Sequence, residues 1–327
     1  MFKFAYHIIV LIFKALFNLK SSAAETVSII GQYENKYQGV FEKAAIQKAA
    51  RFQGVQQVFI NDAFANLIGR NTNSFERNAN KLYFILTGVY DDIIDQNLLS
   101  TNELDELFAN PYNNHQQLFE ARVLVDVHLQ LLNRANNPME YLTVVNNIHQ
   151  AQKDSIKQIN QPISQEEILD ITSRKGGYSL LMCRHYINLP NSNELDHCWY
   201  QLGAVIQFTN DLFDIYKDLK ENISTYPNKS KNVFEIKDCY DNLVKELKAA
   251  IQSIPFEQNK KDALLINLSC IPAFGYLAID NLIQLANKDG HLPDLNTIER
   301  KDLIIDMEKN INRIKLIRTA YSIFKSN

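Results

Sequence analysis

Hydrophobic positions recur every three to four residues along almost the whole chain, in segments separated by short polar or Gly/Pro-bearing stretches. That period belongs to helices with one face turned to a core, whereas strand side chains alternate every two residues. The pattern predicts helices over residues 36–69, 74–98, 115–134, 138–153, 164–187, 193–221, 232–253, 257–286 and 296–325. Ser74 ahead of Glu76, Ser164 three before Glu167, and Thr297 ahead of the last segment are start signals. Asn110-Pro111, Leu189-Pro190, Tyr226-Pro227 and Leu292-Pro293 mark breaks. No β-branched runs alternate with these helices, so the expectation is an all-α fold: one bundle of about eight to ten helices.

Residues 1–24 stand apart from the domain expected over 25–327. They have a basic start, an apolar middle and a small-residue patch, the layout of a secretory signal. On a helical wheel, however, Lys3, His7, Lys14 and Asn18 gather on one narrow seam, an order that a signal core does not need. The run is also short and interrupted for a spanning helix, which wants about 20 apolar residues. An amphipathic helix, docked on the domain or lying on a membrane surface through residues 1–20, is the leading expectation, ahead of a cleaved signal and an anchor.

Composition agrees with a helical protein. Among 327 residues, 46% are hydrophobic, and ten Gly and eight Pro are too few for the turns of an all-β chain. A net charge of −3, with no basic cluster interleaved with aromatics, argues against a nucleic-acid partner. Cys183, Cys198, Cys239 and Cys270 lack ligand spacing and read as free core thiols of a cytoplasmic protein.

Candidate chemistry lies in two groups of acids. Asp91 and Asp95 share one face of the apolar helix KLYFILTGVYDDIID, with Asp92 to one side. Like charges so close need water, on a solvated face, or cations, in a cavity. In QLGAVIQFTNDLFDIYKDLKE, Asn210, Asp214 and Asp218 recur every four residues on a second helix that is apolar round most of its circumference. Carboxylate and amide oxygens without sulfur or imidazole suit a hard cation such as Mg²⁺, which binds through few carboxylates, waters and substrate phosphates. Two such clusters facing each other would hold a diphosphate between metal ions. A di-iron bundle would instead need Glu-x-x-His pairs on facing helices, which the chain does not supply. Arg174 and Lys175 precede Gly176-Gly177, a pair that signals a helix break or a close approach; the two bases either contact a phosphate or simply snorkel beside a kink.

Taken together, these segments resemble the class I isoprenoid synthases, the all-α enzymes that ionise prenyl diphosphates. Asp91-Asp92-Ile93-Ile94-Asp95 looks like the family's first aspartate-rich motif. Asn210, Asp214 and Asp218 fall where the second motif of terpene cyclases has Asn, Ser/Thr and Glu, and the run from Leu202-Gly203 through Gln207 and Thr209 is similar to that of squalene and phytoene synthases. The basic glycine motif of chain-elongating members is missing upstream of Asp91, where Arg70, Arg77 and Lys81 are the nearest bases. The resemblance implies the isoprenoid synthase fold around a central apolar cavity and more than one Mg²⁺. It makes Asp91, Asp92, Asp95, Asn210, Asp214 and Asp218 catalytic metal-binding residues, and Arg174, Lys175, Lys217, Arg318 and Tyr321 the diphosphate contacts. Arg318 and Tyr321 are three apart, whereas many terpene cyclases keep such a pair adjacent. The expected activity is terpene-type product formation. A head-to-head prenyl transfer and a non-catalytic helical protein that binds an isoprenoid or a partner are the alternatives.

Overall fold

The computed structural model describes residues 1–41, 53–109, 111–113, 117–159 and 162–326, apart from the side chains of Lys20, Ser21, Asp95 and Asn113. The described residues are helical throughout and contain no strand; two isolated bridges, Ile159 to Ile223 and Asn232 to His291, are the nearest approach to one. The helices are α1 (Phe2–Tyr37), α2 (Ser74–Asp95), α3 (Thr101–Ala109), α4 (Phe119–Leu132), α5 (Pro138–Ser155), α6 (Gln165–Arg184), α7 (Asn193–Phe213), α8 (Ile215–Lys220), α9 (Val233–Ser253), α10 (Gln258–Leu268), α11 (Cys270–Leu285) and α12 (Asn310–Lys325), with shorter turns between them. They outnumber the predicted set because two predicted helices divide and α3, at Thr101–Ala109, lies outside every predicted segment; a third predicted helix shortens. The first divides at Asp214 and the second at Ser269, where Pro272 sits in the first turn of α11, the position a helix tolerates for a residue without an N–H. The third predicted helix, 296–325, holds only a single turn at Leu295–Thr297 and another at Arg300–Leu303 before α12 begins at Asn310. Part of the predicted 36–69 helix, residues 42–52, lies outside the described residues.

The chain forms two compact units. The first takes Met1–Ile8, Asn147–Leu181 and Pro190–Asn327; the second takes Ile9–Asn146 and Met182–Leu189. In the first, α7 packs against α9 and α11, and α12 covers α11. Trp199, Phe208 and Tyr240 are fully buried there, and the Tyr240 hydroxyl pairs with Thr209 Oγ1 at 2.7 Å and donates to the Pro272 carbonyl at 3.2 Å. Burying three large aromatics contributes about 2 kcal/mol or more each, and the paired hydroxyl avoids the cost of a stranded donor.

In the second unit α2 packs along α4. The start of α2 is fixed by a capping box. Asn73 Oδ1 accepts from the Glu76 N–H at 3.0 Å, and Glu76 Oε2 accepts from the Asn73 N–H at 2.8 Å, so the cap falls one residue ahead of the predicted Ser74. Arg70 forks onto the same carboxylate at 2.7 and 2.6 Å, and the Asn188 N–H donates to it at 2.8 Å. Burial works to raise the Glu76 carboxyl, but Arg70 and the two backbone donors together hold it below its ordinary range.

A second buried polar group in this unit is less well served. His128 stacks on Tyr141 with centroids 5.7 Å apart, and Tyr141 meets His185 edge-on at 6.3 Å. Both imidazoles are buried, and among the described residues neither Nε2 has a hydrogen-bond partner. Burial pushes each down to about 4; the Arg184 charge adds to the shift at His185. The unfolded chain takes up a proton at each near pH 6.5 while the folded chain does so only near 4, so stability falls on acidification through that window. His185→Phe removes one of these protons. Relative to the variant, wild type should lose about 2 kcal/mol of unfolding free energy between pH 6.5 and 4.5, read by denaturant titration. The comparison cancels every other titrating group, and a difference that does not change with pH would refute the assignment.

Candidate functional site

In the first unit the acid stripe is built where α6 and α7 touch. Gly176 and Gly203 bring the two backbones together: a Cβ on Gly203 would stand 2.2 Å from the Gly176 carbonyl oxygen, and one on Gly176 would stand 2.3 Å from the Gly203 carbonyl oxygen. Gly177 lies against the Tyr200 ring in the same way, at 2.5 Å. The glycine pair of the sequence therefore marks a close approach, and α6 runs unbroken through it. This approach sets Thr172 and Lys175 of α6 against the acids of α7.

Asp211 is the centre of the arrangement. It is buried, accepting from Gln207 Nε2 at 2.9 Å and from Thr172 Oγ1 at 3.1 Å. Burial pushes its carboxyl up to about 6; the two hydrogen bonds and the Lys175 charge pull it back, and the Asp214 charge adds to the rise. Asp218 is buried too. Burial first, then the charges of Asp211 and Asp214, push it up to about 7, with Lys217 opposing. Between them α7 ends at Asp214 (φ −94°, ψ 6°), whose N–H still donates to the Asn210 carbonyl at 2.8 Å. Asn210 and Asp214 are exposed while Asp218 is buried, so the expected stripe is divided between two environments.

Sequence reasoning missed Asp211. Its signal was available: Gln207, Asp211 and Asp218 stand at i, i+4 and i+11, on one face of a 3.6-residue helix.

The predicted bases have separate surroundings. Arg174 is taken by two carboxylates, Asp154 at 3.0 Å and Asp170 at 2.8 Å. Lys217 is exposed and lies 3.7 Å from Glu221. Arg318 is on an exposed part of α12, and Tyr321 packs edge-on against Phe4, centroids 5.3 Å apart. Lys175 is thus the predicted base whose charge bears on the buried Asp211.

In the second unit, α2 carries the first acid cluster in its last turns. Tyr90 is buried edge-on to Phe108 at 5.8 Å, and burial, together with the charges of Asp91 and Asp105, raises its hydroxyl. Asp91 and Asp92 are half-buried, and the side chain of Asp95 lies outside the described residues. Among the described residues no three His, Cys, Asp or Glu side chains are already drawn into metal-ligand geometry. The chain's one Glu-x-x-His, Glu194 to His197, sits on the exposed first turn of α7 with Glu194 accepting from Ser192.

Asp211, Asp214 and Asp218 carry only oxygen donors, the type a hard cation such as Mg²⁺ takes, and the charges of Asp211 and Asp214 bear on their buried neighbours, but among the described residues they are not gathered into a group that could hold a metal ion. No known family model matches the chain, and no curated protein matches it.

Substituting Gly203 tests the geometry on which this depends. In an open helix Gly→Ala gains about 1 kcal/mol, and Gly31→Ala, with nothing near its Cβ, should do so. Gly203→Ala meets backbone on the facing helix, which cannot swing aside as a side chain can, and should cost about 2 kcal/mol or more in denaturant unfolding. Equal, benign effects at both positions would refute the close approach.

Proposed function

We propose that this chain is a Mg²⁺-dependent isoprenoid synthase that ionises a prenyl diphosphate and forms a terpene-type product. The observation that carries the reading is the patch on α7 and α8, where three carboxylates influence one another electrostatically and two are buried and held above their ordinary range, beside Lys175 and Lys217. Carboxylates held above their ordinary range by burial and by each other favour a partner of opposite charge. The DDxxD cluster of α2 supports the reading from the sequence side, through its resemblance to the first motif of the class I isoprenoid synthases.

In this reading Asp91, Asp92 and Asp95 are metal ligands on α2, and Asn210, Asp214 and Asp218 are metal ligands on α7 and α8, with Asp211 added to the latter group. Bound Mg²⁺, more than one ion, supplies Lewis-acid stabilisation of the charge that develops on the departing diphosphate. Thr172 and Gln207 orient the Asp211 carboxylate by donating to its two oxygens. Lys175 and Lys217 offer point charges to the diphosphate, and Arg174, already balanced by Asp154 and Asp170, braces α6 beside them.

Incubation with Mg²⁺ and C10, C15 and C20 prenyl diphosphates should release diphosphate and give organic-soluble products. Asp91→Asn and Asp214→Asn should each lower turnover by at least about 100-fold while leaving the melting temperature nearly unchanged. A single-substrate hydrocarbon or alcohol supports terpene formation, and a dimeric C30 or C40 skeleton supports head-to-head transfer. Absence of Mg²⁺-dependent release with every chain length would leave a non-catalytic helical protein as the reading.

A further inference from the structure

The first seventeen residues of α1 carry two apolar faces. Phe4, Ile8, Leu11 and Ala15 are buried, with Phe4 packed between Tyr321 and Phe324 and the neighbouring His7 paired with Asn267 at 2.7 Å. This is the face that docks the helix. On the opposite side Phe2, Tyr6, Ile9, Phe13, Leu16 and Phe17 project into solvent, with exposures of 95% at Phe2, 67% at Phe13 and 80% at Phe17. At 100° per residue these six span less than a third of the circle, so they form one continuous stripe.

A docked helix of a water-soluble protein turns a polar side outward, and scattered single apolar residues need no explanation, but a contiguous aromatic stripe does. The charges beside it indicate what covers it. No Asp or Glu occurs between Met1 and Ala24, whereas Lys3 and Lys14 are exposed along one edge of the stripe and Lys20 follows it in sequence. A second copy of this chain would bring the same positive edge against itself, while an anionic bilayer offers opposite charge to the lysines and an apolar layer to the rings. Helix α1 as a whole, Phe2–Tyr37, also passes as a membrane span by length and hydropathy, but its buried face is committed to the protein, which leaves only an in-plane position.

We propose that α1 is a monotopic membrane anchor: it is fixed to the protein by the Phe4 face and lies in the headgroup region of an anionic bilayer by the Phe2–Phe17 face. Aromatic side chains favour that depth, and lysines snorkel from it to the phosphates.

Co-flotation of the full chain tests this, with vesicles of phosphatidylcholine mixed with phosphatidylglycerol and with phosphatidylcholine alone. The wild type should float with the mixed vesicles, less with the neutral ones, and progressively less as salt rises. Phe13→Gln with Phe17→Gln should reduce binding at least about 10-fold with an unchanged melting temperature, since both rings are exposed. Lys3→Gln with Lys14→Gln should remove the preference for the anionic vesicles. Undiminished flotation of the double-Phe variant would overturn the proposal. So would a wild type that ignores both vesicles, or one that is dimeric by light scattering and becomes monomeric on the same double-Phe substitution, which would assign the stripe to a second copy.

Discussion

The contact between Gly176 and Gly203 is the constraint on which the chemistry of the first unit rests. Two helix backbones approach there without a Cβ on either side. The closeness lets Thr172 reach Asp211 and puts the Lys175 charge within influence of it. A wider spacing would admit water between the helices. The carboxyl would then return toward its ordinary range, because burial is the largest cause of its rise.

The buried polar groups of this chain sort by how completely they are satisfied. Glu76 receives Arg70 and two backbone N–H groups, and it ties the start of α2 to Asn188. That is a fixture: every lone pair facing the protein has a donor, and the charge has a counter-charge. Asp211 has two donors but sits among other carboxylates, so its hydrogen bonds fix its position and leave its charge under-compensated. His128 and His185 stay neutral, each with one nitrogen unserved among the described residues. The first kind stabilises the fold. The second retains electrostatic free energy that a cation can draw on, and it is here that a site is expected.

Helical periodicity made the all-α class legible, and Ser164 caps α6 through the Glu167 N–H at 3.1 Å as its spacing predicted. Boundaries were harder. Asp214 interrupts one long helix at a residue whose type gives no warning, and only the backbone angles reveal it. The Gly176-Gly177 pair left two outcomes open, because the deciding partner, Gly203, lies on a different helix. The wheel of residues 1–24 displayed its polar seam, yet whether the apolar remainder is buried or exposed depends on Tyr321 and Phe324 at the far end of the chain; α1 itself continues past residue 24 to Tyr37. Asp211 stands outside the every-four spacing of Asn210, Asp214 and Asp218, whereas burial selects every third or fourth position alike.

The central claim is that the carboxylates of α7 and α8 are a divalent-cation site poised for diphosphate. Calorimetric titration of Mg²⁺ into the protein with inorganic diphosphate present measures it most directly, with Asp218→Asn as the comparison. The account predicts saturable binding to the wild type that needs both Mg²⁺ and diphosphate, and a loss of at least about 10-fold in affinity in the variant. Binding of equal strength in the variant, or no Mg²⁺ binding by the wild type, would contradict it.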